Sequence, residues 1–165
     1  MKKKKAVPVQ SWEIVFPNDA NPHGTMFGGK LTAKMDIIAG IAAARFADRM
    51  VVTASTEAII FLNPVRIGDR IEFIARVVWT GKTSMVVKVD VFAENLSDHN
   101  RVHCTTAHFN FVALDEHDQP TQVPSLLVES EEEKRDYQVA ELVKKQALDR
   151  KTEIVKLEAA SHSKE

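Results

Sequence analysis

The sequence predicts an α+β fold: one curved antiparallel β-sheet wrapped around a single long central α-helix, with a helical extension at the C-terminus. Three observations carry this. A Pro-free apolar segment rich in Ala, Ile and Met runs from Gly28 to Ala47, which favours one helix. After it come stretches of β character joined by short turn-like links, which favour an antiparallel meander-like sheet over βαβ units. From Val123 onward the composition turns charged and apolar residues thin out. Strands with one apolar face and a helix apolar around most of its circumference bury each other in one economical arrangement.

The chain's 165 residues, 44% of them hydrophobic, are one domain's worth of soluble globular protein. A net charge of −1 argues against a duplex nucleic-acid binder driven by bulk charge. Cys104 is the single cysteine, so an intrachain disulfide and a thiolate metal cluster are both excluded. Lys2–Lys5 resembles the start of a signal peptide, but Ala6–Gln10 supplies no apolar core behind it. Residues 1–10 are expected to be a basic, disordered, solvated tail. No run of some 18 apolar residues occurs, so no membrane-spanning helix is expected and the cytoplasm is the expected compartment.

Ser11–Phe16 can form a first strand, and Val51–Phe61, rich in β-branched residues, a second. Asn63-Pro64 and Gly68-Asp69 bracket a turn. Arg70–Trp79 alternates, with Ile71, Phe73, Ala75, Val77 and Trp79 on one face. Thr80-Gly81-Lys82 reads as a hairpin loop. Ser84–Glu94 alternates again, with Met85, Val87, Val89, Val91 and Ala93 set against Lys88, Asp90 and Glu94. Arg101–Leu114 is the last strand, and a phase slip between Cys104 and Ala107 marks a bulge. Ser130–Glu133 fits a capping box opening a charged helix to about Lys151, with Tyr137, Ala140, Val143 and Leu148 as a weak apolar stripe. Beyond about Thr152 fraying is expected.

Within the central helix, Lys30, Lys34, Arg45 and Asp48 share one stripe at about 100° per residue. Asp36 lies roughly 120–180° away, on a face with Thr32, Ala39, Gly40, Ala43 and Ala47. A carboxylate on the small-residue side of an apolar helix is costly unless something pairs with it or uses it.

Asn21-Pro22-His23-Gly24-Thr25-Met26-Phe27-Gly28-Gly29-Lys30-Leu31, followed by Met35-Asp36, resembles the signature of the hotdog-fold acyl-CoA thioesterases. Val51–Ser55, Phe61–Asp69 and Trp79–Met85 match the same group in order and spacing. The likeness covers residues 11–124, the expected thioesterase domain, and leaves 125–165 as a charged helical extension with a frayed end. The resemblance implies a hotdog dimer with active sites at the interface, assembled into a trimer of dimers. Carried onto this sequence it makes Asp36 the catalytic carboxylate, Asn21 its partner from the other chain, and Thr53 an auxiliary hydroxyl. Asp36 would act as general base for water, and N–H groups near Gly28 and Gly29 would take the developing oxyanion charge.

Acyl-CoA is then the expected substrate, with coenzyme A part of substrate and product and no separate cofactor. Arg66, Lys82, Ser84 and Arg101 are candidates for the CoA phosphates or pantetheine. His99, His103, His108 and His117 show no ligand spacing, so no metal is expected. Two other readings stand beside this one. His23 with Asp36 would make a hotdog dehydratase or hydratase of hydroxyacyl or enoyl thioesters. A non-catalytic acyl-CoA sensor would carry an effector module, and none is visible before Ser11. Acyl chain length is not legible in any spacing rule.

Overall fold

The apolar run does form one helix, in a computed structural model that describes residues 3–162. In chain order the elements are β1 (Lys3–Lys4), β2 (Val9–Ile14), a 3-10 turn at Pro17–Asp19, α1 (Gly28–Ala47), β3 (Met50–Thr56), β4 (Arg70–Thr80), β5 (Ser84–Glu94), β6 (Arg101–Leu114), β7 (Ser125–Leu126) and α2 (Glu131–His162). Helix α1 stops where Asp48 takes a left-handed conformation (φ 52°) and returns its N–H to the Ala44 carbonyl at 2.9 Å. It buries Leu31, Met35, Ile38, Ala39, Ala42, Ala43, Phe46 and Ala47.

Five strands form the sheet in the order β2-β4-β5-β6-β3, antiparallel throughout. Ile71, Phe73, Ala75 and Val77 of β4, Met85, Val87, Val89, Val91 and Ala93 of β5 and Ala107, Phe109, Phe111 and Ala113 of β6 turn inward onto α1. The expected bulge is present: Val91 pairs with Thr105 and Phe92 with His103, leaving Cys104 over. The meander holds for β4, β5 and β6 only. β3 does not lie beside β4. It crosses to the far edge and pairs with β6, which the long connection 57–69 permits. Its ladder ends at Thr56 rather than Phe61. A register shift between Thr53 and Ser55 breaks the pairing, and the chain then follows β6 through single bonds from Glu57 N–H to His108 O and Leu62 N–H to Cys104 O.

A second shift, between Val77 and Trp79, turns Trp79 off the core face on which alternation places it. Trp79 packs instead with Val78, Val86 and Ala140 on the outer face of the sheet, under α2. Asp136 anchors that helix, accepting from Arg76 at 2.6 Å and Lys88 at 3.0 Å. Its capping box is formed: Glu133 N–H donates to Ser130 Oγ at 3.1 Å, and Ser130 N–H to the Glu133 carboxylate at 3.0 Å.

Two expectations at the ends are corrected. The basic segment is not a free tail. Lys3 and Lys4 pair in parallel with Ser125 and Leu126, and Gln10 belongs to β2. Lys4 donates to the Arg45 carbonyl at 3.1 Å and pairs with Asp48, placing a cation on the C-terminal end of α1. The extension does not fray at Thr152 either: α2 continues to His162, its later turns ionically paired as Glu153–Lys156. Residues 1–2 of the expected tail and 163–165 of the expected frayed end lie outside the described residues.

Candidate active site

The site begins with one hydrogen bond. α1 turns back through Asp48 and Arg49 into β3, so the edge strand runs beside the helix that precedes it. Thr53 Oγ1 then donates to Asp36 Oδ1 at 2.8 Å. Gly40 packs near the ring of Phe111, the ladder partner of Thr53. Within one chain Asp36 is half-buried rather than buried, and Thr53 is exposed. The pair therefore faces outward at the open edge of the sheet.

Asn21 lies in the loop before α1 and spends its side chain on that loop. Oδ1 accepts from the N–H groups of His23 at 3.0 Å and Thr25 at 3.3 Å, while Nδ2 donates to Thr25 Oγ1 at 2.9 Å. Gly24 permits the turn with φ 76°. Met26 N–H to Val65 O at 2.7 Å and Phe27 N–H to Asp19 O at 2.8 Å lock the loop to its surroundings. The Phe16 N–H and the Lys30 ammonium hold the Asp19 carboxyl below the usual carboxylate range. One Asn21 amide N–H stays uncommitted by these bonds. No hydrogen bond joins Asn21 to Asp36 within the chain, and none joins the exposed His23 ring to Asp36.

Helix α1 opens at Phe27, which has extended dihedrals and provides no side-chain cap. The N–H groups of Gly28, Gly29 and Lys30 thus have no intrahelical acceptor and gather the positive end of the helix dipole. Aromatic rings stand over this end. A Cβ on Gly29 would lie 2.5 Å from the Phe27 ring, and one on Gly28 would meet Phe61 at 3.6 Å. Both rings are about half exposed, at 54% and 48%. Phe61 was not legible as a site residue, since strand patterning placed it in a ladder.

The four candidate CoA residues do not assemble within one chain. Arg66 bridges to Thr25 at the loop, and Arg101 opens β6 opposite Glu94. Lys82 and Ser84 sit at the other end of β5, on the order of 30 Å away along the strand. Arg101 is engaged elsewhere: it pairs with the buried Glu72 at 2.6 Å and stacks 3.5 Å from the Phe92 centroid. Among the described residues no three His, Cys, Asp or Glu gather as metal ligands. Sequence reasoning also missed a polar cluster on the outer face. Asn110, 2% exposed, donates to Ser55 Oγ at 2.9 Å and to Glu57 at 3.2 Å, and accepts from Lys144 at 3.2 Å. A polar residue inside Phe109-Asn110-Phe111 was the available signal.

A family model described as the thioesterase superfamily matches residues 23–98. An uncharacterised acyl-CoA thioester hydrolase of Bacillus subtilis is 44% identical over 119 residues, covering 72% of this chain and 69% of that protein. The chain belongs to the acyl-CoA thioester hydrolases of this superfamily. Its curved sheet around one helix is their hotdog fold. The acyl-CoA hydrolase of Staphylococcus aureus, solved with butyryl-CoA, CoA and CoA disulfide, superposes with a TM-score of 0.85 at 35% identity, over 91% of this chain and 92% of that one. Alanine variants of an asparagine, an aspartate and a threonine of the S. aureus enzyme have also been solved. An apo-hexameric acyl-CoA thioesterase matches with a TM-score of 0.87 at 36% identity, over 91% of this chain and 97% of that one.

Proposed function

We propose that this hydrolase cleaves acyl-CoA thioesters to the free acid and CoA, with Asp36 as general base for the attacking water. The Thr53–Asp36 hydrogen bond carries the reading. It occupies Oδ1, fixes the carboxylate plane and leaves Oδ2 for a water. That water attacks the thioester carbonyl, Oδ2 takes its proton, and the N–H groups of Gly28 and Gly29 meet the charge on the carbonyl oxygen. Collapse of the tetrahedral adduct expels the CoA thiolate. The reaction uses no separate cofactor, and CoA enters and leaves as part of substrate and product.

The site is completed by a second copy, whose Asn21 supplies its uncommitted amide N–H to the water or carbonyl. Two features support this. Asn21 and Asp36 do not meet within one chain, and β3 is a free edge strand bearing exposed Met50 (75%) and Val52 (45%). The asparagine, aspartate and threonine replaced in the S. aureus relative have the same order and separations as Asn21, Asp36 and Thr53 here. Dimerisation would also bring Arg66 of one copy toward Lys82 and Ser84 of the other, as an antiparallel pairing opposes the two ends of the sheet. The hexameric relative supports a trimer of such dimers. A cytoplasmic setting belongs to the same proposal; no helix of the described residues is long and apolar enough to cross a membrane.

The test is thiol release from a series of saturated acyl-CoAs, followed with a thiol-reactive dye. Steady release that vanishes in Asp36→Ala is expected. Hydration of an enoyl-CoA with no thiol release would overturn the reading and restore the His23–Asp36 lyase.

A further inference from the structure

Helix α2 is longer than the sheet it covers. At about 1.5 Å per residue it spans roughly 48 Å, while β4 to β3 are three intervals of about 4.8 Å. It is anchored over β4 and β5 by Asp136 with Arg76 and Lys88, and over β6 by Lys144 with Asn110. Arg150 pairs with Glu57 at 2.8 Å, immediately after the end of β3. By that point the helix has passed over β4, β5 and β6 to the end of β3, and about 18 Å of it runs on beyond Arg150.

The overhanging part carries exposed apolar side chains among its charges. Leu148, Ile154, Val155 and Leu157 are 63%, 48%, 55% and 64% exposed. Leu148, Ile154 and Val155 form one wall of a cleft of about 520 Å³, and Ala54 and Ser55 of the edge strand contribute to the other. Acidic Asp149, Glu153 and Glu158 and basic Arg150, Lys151 and Lys156 lie along the same turns, and the cleft between them and β3 opens at the strand edge through which the proposed dimer forms.

We propose that the occupant of this cleft is α2 of a second copy. The two overhanging halves run antiparallel across the two-fold axis of the β3 edge, each seating its Leu148, Ile154 and Val155 in the other's cleft. This deepens the dimer reading above and rests on it. The arrangement is isologous: the same helix supplies both the knob and the cleft wall. It straps the seam from outside, on the face of the sheet opposite Asp36 and Thr53.

Sedimentation velocity over a dilution series tests it, with wild type, Leu148→Glu/Val155→Glu and Val52→Pro compared. Wild type should be dimeric or larger. The α2 double variant should keep its circular dichroism spectrum and raise the dimer dissociation constant at least about 100-fold, and a chain ended after Ala147 should do the same. An α2 variant that associates as tightly as wild type, while Val52→Pro does not, overturns the strap and leaves the β3 dimer standing. A monomeric wild type overturns both.

Discussion

Thr53 commits one oxygen of Asp36 and leaves the other for the proposed water, so the two residues should fail in different ways. Asp36→Ala removes the proton acceptor and is expected to lower turnover by about 10²–10⁴ with fold and oligomer intact. Wild-type turnover in a folded variant would remove Asp36 from the mechanism. Thr53→Val keeps the shape and removes the donor. A hydrogen bond to a charged group contributes about 1.5–3 kcal/mol, so a loss of about 10–100-fold, mainly in kcat, is expected from steady-state kinetics. His23 touches the site only through its backbone N–H on Asn21 Oδ1. His23→Asn should therefore lose less than about tenfold, or about 1.4 kcal/mol of barrier. A loss of several orders of magnitude would put a His–Asp arrangement back in contention.

At the scale of elements, α2 is held on the sheet by partly buried ion pairs, and one of its neighbours titrates. His108 is half-buried on the outer face of β6, and its Nε2 has no hydrogen-bond partner. Desolvation and the Lys88 ammonium keep its pKa below the usual histidine value, against the pull of Asp136, Asp90 and Glu57. As pH falls below about 6.5 the unfolded chain binds this proton before the folded one does. Folded-state stability is thus lost on the acid side, until pH passes the depressed folded pKa. Thermal melts should show a lower midpoint at pH 5.5 than at 7.5, and His108→Asn should narrow that gap. An unchanged gap would assign it to other groups. The elements themselves were largely legible: α1, β5 and β6 fall where periodicity and composition place them, because burial on one face writes a repeat into the chain. Trp79 and β3 were not. A single inserted residue at Val78 reverses which face Trp79 takes, and local patterning holds no information on which strand β3 will pair with. Lys4 was hidden for another reason: a lysine that caps a helix 41 residues away reads locally as a solvated charge. In the site, the helix wheel marked Asp36 and the family resemblance marked Asn21 and Thr53, yet only the fold shows that two of them meet and the third stays apart.

For the whole molecule the proposed dimer has a consequence: a site that no single chain completes. Mixing Asn21→Ala subunits with Asp36→Ala subunits should therefore restore activity. A hybrid dimer has one site carrying both lesions and another carrying neither, and the second should turn over at the wild-type rate. Hybrids isolated by two affinity tags and found inert would assign both residues to one chain's site.

The strand order β2-β4-β5-β6-β3 also sets a timetable for synthesis. Everything made first, namely β2, α1 and β3, depends on strands made later: β2 must wait for β4, and β3 for the last long strand, β6. On a ribosome, α1 emerges before β4, β5 and β6, the strands that cover it, and its burial is complete only once Leu114 has cleared the exit tunnel.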